Sequence, residues 1–172
     1  MKRLLSLVLT LGACASSSLP ELDAFDPVAF FEGETRGRGV LTTRAGAIDA
    51  AFTVKSEGRV EDDGELVLTQ AISMGDEPGR VRTWTMRSTG PGRWEGDLTD
   101  AKAPVALRAQ GGALTLSYAP NDIPFGRITQ HLYLQPPGDT LINEGRVTVL
   151  GVTVRRMHEV IEKQPTPQNG AP

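Results

Sequence analysis

The chain has one cysteine, Cys14, in 172 residues. An internal disulfide is therefore excluded, and so is any metal site that needs two thiolates. Histidine is almost as scarce, with only His131 and His158. Aromatic residues make up 5% of the chain, so its two tryptophans stand out. No apolar run is long enough to cross a bilayer. Leu4 to Ala13 is the longest, about ten residues, which as a helix spans roughly 15 Å, half of a hydrocarbon core. An excess of positive charge is also missing, since 18 basic residues face 21 acidic ones. That balance argues against nucleic acid as a partner. Finally, no sustained period of 3.6 is found between Glu34 and about Lys163, which removes the amphipathic helix as a building block.

What is present begins with the leader. Lys2 and Arg3 precede the apolar stretch, and Gly12-Ala13-Cys14 closes it. This order is similar to the signal and lipobox of a bacterial lipoprotein. The resemblance implies removal of residues 1–13 and a diacylglycerol thioether on Cys14, with residues 14–24 as a tether. Several acyl chains would hold the protein firmly, because each buried methylene contributes about 0.8 kcal/mol. Ala15 and Ser16 follow the cysteine without an aspartate, so the expectation is an outer membrane anchor facing the periplasm. Without Lys2 and Arg3, 16 basic residues face 21 acidic ones, a net charge of −5. The remaining 159 residues suit one domain, placed here at 25–163, with a polar, disordered tail at 164–172.

Asp26-Pro27 reads as an N-cap followed by proline in the first helical position, with Gly33 just beyond the end. Only a turn or two fits, and Phe30 and Phe31 are expected to plug an open end of the domain. Alternation then takes over. Phe52 and Val54 share a face, as do Leu66, Leu68 and Ile72, then Trp84 and Met86, and Trp94 and Leu98. The sets Leu114, Leu116, Tyr118 and Ile128, Leu132, Leu134 repeat the pattern. Turn signals recur about every ten residues, at Gly46, Gly64, Gly75 to Gly79, Gly90-Pro91-Gly92, Gly111-Gly112, Pro120 to Pro124, Pro136 to Asp139 and Leu150-Gly151. In the hairpin about Gly90-Pro91-Gly92, an even pairing sum puts Trp84, Met86, Trp94, Gly96 and Leu98 on one face. Regular hairpins predict an all-β antiparallel up-and-down barrel of about 8–10 strands with a short N-terminal helical turn. Closure removes the sheet edges, and a two-sheet sandwich is the alternative.

The block Phe30 to Val40, followed by Phe52-Thr53-Val54, Trp84 to Arg87, Trp94-Glu95-Gly96 and Leu141-Ile142-Asn143, resembles an uncharacterised bacterial lipoprotein family. That family is a domain of unknown function. The resemblance runs from about Phe30 to Val154 and implies a lipocalin-like barrel without assigning an activity. Two positions depart from it: Glu144 stands where a basic residue is expected, and His131 stands near an expected acid.

Catalytic and metal-binding patterns are unmarked. There is no Gly-x-Ser-x-Gly elbow, no phosphate loop and no helix-flanked calcium loop about Asp62-Asp63-Gly64. Asp97 and Asp100 read as charged neighbours in one strand. The expectation is therefore no catalytic residue, no metal and no cofactor. The candidate ligand-lining residues are Trp84, Met86, Trp94 and Tyr118, with Arg36 and Arg82 as inward arginines able to hold the acidic head of an amphiphile. The functional expectation is a membrane-anchored carrier or sensor for a small lipid-like ligand. A non-catalytic module docking an envelope partner is the first alternative, and a hydrolase using His131 or His158 is the second.

Overall fold

The computed structural model describes residues 25–76 and 79–165. Residues 1–24, and with them the leader, Cys14 and the tether, lie outside the described residues, as do residues 166–172 of the tail. Ten antiparallel strands close into one barrel, and each strand pairs with its neighbours in sequence. They are β1 (Gly33–Thr43), β2 (Ile48–Val60), β3 (Leu66–Met74), β4 (Arg80–Gly90) and β5 (Arg93–Leu98). The second half is β6 (Val105–Gln110), β7 (Ala113–Tyr118), β8 (Gly126–Gln135), β9 (Thr140–Val149) and β10 (Val152–Lys163). β10 pairs back onto β1, with Gly37 opposite Ile161, and this leaves no open edge.

The one helix among the described residues, α1 (Pro27–Phe31), closes the end where the described chain enters. Asp26 caps it by accepting from the Val28 and Ala29 amides at 2.9 and 3.4 Å, and Pro27 costs nothing there because its missing N–H would have had no partner. Phe25, Phe30 and Phe31 are buried beneath this helix, with Phe30 and Phe31 edge-to-face at 5.0 Å. The plug seats so closely that a Cβ on Gly58 of β2 would overlap the Phe31 carbonyl. Glycine there is a packing requirement.

Alternation maps onto inside and outside along most of the strands, broken by register shifts at Leu41–Thr42, Ser88–Gly90 and Thr153–Arg155. Trp84 pairs with Leu98, Met86 with Gly96 and Ser88 with Trp94, so the expected even-sum hairpin forms. The interior around the plug is apolar, while the outer wall carries charges at mid-strand, among them Lys55, Glu57 and Arg87. That is the inverse of a lipid-facing barrel band. No helix among the described residues is long and apolar enough to cross a membrane.

One expectation needs correction. β5 stops at Leu98, and residues 99–104 turn the chain into β6, so Asp100 belongs to a loop and not to a strand with Asp97. The loop is held by the Asn121 amide on the Asp100 carbonyl at 2.8 Å and the Lys102 amide on the Ala119 carbonyl at 2.9 Å. Just past β10, the Gln164 amide donates to the Glu34 carbonyl at 2.8 Å.

Candidate functional site

The barrel interior is divided by height. Below, around the plug, a continuous core joins Leu66, Leu68, Trp84, Met86, Trp94, Leu107, Leu114 and Leu141. Above, a separate small cluster of Phe52, Val54 and Ile72 is flanked by Leu41, Met74 and Met157. The upper half encloses a cavity of about 500 Å³, within the range usual for small-molecule sites. A void of about 50 Å³ lies deeper, against Phe31, Trp84 and Met86. Val54, Arg82, Gln130 and Glu159 border both spaces and so form the partition between them.

Glycines in the wall make room for side chains that border this space. Gly37, Gly39 and Gly145 take inward positions of β1 and β9. A Cβ on Gly37 would overlap Glu159 Oε1, and one on Gly145 would lie 2.8 Å from the Met157 methyl. These glycines give Glu159 and Met157 the room to lie flat against the wall.

The partition is polar and connected. Arg82 donates through Nε to Gln70 Oε1 at 2.8 Å and through Nη1 to the Tyr118 hydroxyl at 3.3 Å, and Nη1 lies 3.6 Å from Asp100 Oδ2. Gln70 passes the chain on by donating to Ser56 Oγ at 3.2 Å. Across the barrel, Asn143 donates to Glu159 Oε2 at 2.9 Å, and both are buried. Asp100 Oδ1 and Asn143 Oδ1 are buried without a partner among the described residues. Buried acceptors of this kind mark a place where a bound molecule or water can donate.

Burial pushes the Glu159 carboxyl above the ordinary carboxylate range, opposed by the Asn143 hydrogen bond and the Arg82 charge. Burial likewise raises the Tyr118 phenol, with Arg82 acting against it. The stability consequence for Glu159 has a definite sign. Its folded value lies above the unfolded one, so its contribution is complete in acid below the unfolded value and is lost as pH rises through the folded one. Glu159→Gln, which copies the neutral acid, should flatten that decline and melt higher than the parent at neutral pH. Melting temperature against pH for both proteins checks it, and parallel profiles would refute the upward shift of this carboxyl.

The sequence-derived residues separate on these coordinates. Arg82 and Tyr118 line the large cavity. Trp84 and Met86 face inward but border only the small void, and Trp94 is buried in the lower core bordering neither space. Arg36 is a correction. It lies exposed on the outer face, because the inward positions of β1 are Thr35, Gly37, Gly39 and Leu41. His131 and His158 also face outward, on either side of their register partner Glu144, and His131 Nδ1 lies 3.1 Å from Thr115 Oγ1. Neither ring reaches the cavity. Sequence reasoning passed over Ser56, Gln70, Gln130, Asn143 and Glu159. Their signal was available, since each is a polar residue sharing parity with inward apolar neighbours.

Among curated proteins nothing matches the chain. Among solved structures it is similar to a protein of unknown function from the DUF3598 family of Nostoc punctiforme, at 20% identity with a TM-score of 0.62. The alignment covers 87% of this chain and 53% of that one, so this chain spans about half the length of the Nostoc protein. It is also similar to the S-type phycobiliprotein lyase CpeS of Guillardia theta, at 7% identity with a TM-score of 0.62, over 81% of this chain and 91% of that one. At these identities the likeness is one of fold, a lipocalin-like barrel. The model of the family described as Protein of unknown function (DUF3833) matches residues 8–163, and the chain belongs to that family.

Proposed function

We propose that the barrel is a carrier or sensor that takes one small amphiphilic molecule into its upper half. The observation that carries this reading is the cavity of about 500 Å³, apolar on its walls and polar at its floor and mouth. Phe52, Val54, Ile72, Met74, Ile128 and Met157 offer the apolar tail a surface. Arg80 and Arg146 at the mouth have no ionic partner among the described residues, and they suit an acidic head group. The polar partition stops the tail above the lower core. Lipid attachment at Cys14 is part of the same proposal and would keep the barrel beside a source of amphiphiles. The mass of the Cys14 peptide from the host protein tests that part separately.

The ligand reading is tested by extracting protein from its host and identifying the released molecule by mass. A complementary test titrates the purified chain with a long-chain fatty acid. Met74→Trp should lower that affinity about tenfold or more, equivalent to about 1.4 kcal/mol, because the larger ring occupies the cavity near its mouth. An unchanged melting temperature would show that the barrel survives the substitution. An empty extract together with no fatty acid binding by the parent would end the proposal.

One observation favours a lyase-like second reading. Glu159, whose carboxyl burial pushes above the ordinary range, borders the cavity and is a candidate proton donor of the kind such chemistry uses. The Guillardia theta neighbour, itself named a lyase, gives the fold a precedent. Glu159→Gln would then abolish turnover of a bound molecule while leaving its binding intact.

A further inference from the structure

The barrel end opposite α1 carries the β1–β2, β3–β4, β5–β6, β7–β8 and β9–β10 connections. Two residues there break the usual rules in the same way. Phe125, at the end of the β7–β8 connection, has φ 56°, and Leu150, in the β9–β10 turn, has φ 49°. The left-handed region is unfavourable for side chains with a Cβ, and bulky residues rarely occupy it. Leu150-Gly151 has positive φ at both central positions of a two-residue hairpin, where Asn, Asp or Gly is the usual first residue.

Burial does not compensate for either conformation. Phe125 is 77% exposed and Leu150 is 76% exposed. They lie side by side, because the Leu150 amide donates to the Phe125 carbonyl at 3.2 Å. Val152 and Ile48 extend the same apolar rim, at 51% and 72% exposure. The β1–β2 and β9–β10 hairpins are tied together there by the Arg155–Asp49 ion pair and by Arg156 Nη1 on the Arg44 carbonyl at 3.2 Å.

The charge around this rim is positive in a chain that is negative overall. At this end of the barrel Arg44, Arg80, Lys102, Arg127, Arg146, Arg155 and Arg156 stand against Asp49, Asp76, Asp100 and Asp122, with Glu77 also in the β3–β4 connection by sequence. The β2–β3 turn at the plugged end carries the opposite sign, with Glu57, Glu61, Asp62, Asp63 and Glu65 against Arg59, which pairs with Glu61. Exposed apolar tips within a ring of arginines are the composition that inserts at a bilayer interface and pairs with anionic head groups. The reversed polarity orients the molecule, since the acidic end is repelled from the surface that attracts the rim. We propose that the Phe125–Leu150 rim docks the open end of the barrel on an anionic lipid bilayer. This goes beyond ligand binding, because it assigns a surface and the partner that surface meets.

Amide hydrogen exchange on the full chain tests it, with excess vesicles of phosphatidylglycerol and, separately, of phosphatidylcholine. Any N-terminal anchor acts equally on both, so the difference between them reports the rim. Peptides covering 123–127 and 148–153 should exchange about threefold slower or more on the anionic vesicles, and high salt should remove the protection. The double variant Phe125→Gly, Leu150→Gly should lose that protection while its melting temperature stays level or rises, because glycine accepts the left-handed conformation. Equal exchange on both vesicle types would overturn the proposal. So would protection retained by the double variant. A clear fall in its melting temperature would give the two side chains a structural role and overturn it as well.

Discussion

Replacing Trp84 with alanine is expected to remove about 3–5 kcal/mol of folding stability, the usual range for deleting a buried indole. At roughly 2–4 °C per kcal/mol for a chain of this size, the melting point should fall by about 6–20 °C. The ring is 5% exposed, packs edge-to-face on Tyr118 at 6.1 Å and borders only the lower void. Its loss enlarges a dry space beneath the partition and leaves the upper cavity wall in place. Ligand affinity, measured at a temperature where the variant is folded, should therefore change little. The opposite result, binding lost with melting nearly unchanged, would return Trp84 to the ligand site that the sequence alone suggested.

The two outcomes for Trp84 show what could be read from the chain and what could not. Parity told inside from outside along β4 and β5, because large apolar residues there alternate with charged ones. It carried no information about height, and height decides whether an inward ring fills the core or lines the cavity. Trp94 sits beside the Gly90–Gly92 turn at the plugged end, as far from the mouth as that hairpin allows. The room taken by Glu159, Phe52 and Met157 at the cavity border is written in missing side chains, at Gly37, Gly39 and Gly145, which a search for hydrophobic faces passes over.

Arg36 failed for the same reason. In β1 the inward set is Thr35, Gly37, Gly39 and Leu41, with one large apolar residue, so no face could be distinguished there. The β5–β6 loop was missed because 99–104 lacks the glycine or asparagine that marked every other turn. That loop matters, since it turns Asp100 back toward Arg82. The helical plug, by contrast, was plain from Asp26, Pro27 and the two phenylalanines, since capping chemistry is local in sequence.

Arg82→Met should be nearly as damaging as loss of Trp84, by a different route. The methionine fills part of the volume but leaves Gln70 Oε1 without its donor and Asp100 without its counter-charge. A buried acceptor stripped of its partner costs about 1–3 kcal/mol. Two such groups give about 2–6 kcal/mol, toward the lower part because Asp100 retains 27% side-chain exposure and water can reach it. Arg82→Lys should recover little, since one ammonium cannot reach Gln70, Tyr118 and Asp100 in the geometry of the planar guanidinium. The double variant Arg82→Met, Asp100→Asn separates charge from packing. If the partition acts as one unit, removing the orphaned carboxylate returns stability, and the pair should couple by about 0.5–3 kcal/mol in denaturant melts. Additivity within about 0.5 kcal/mol would mean that Arg82 and Asp100 contribute independently. The floor of the cavity would then be a set of separate polar contacts, and a ligand reaching it could displace one of them without disturbing the rest.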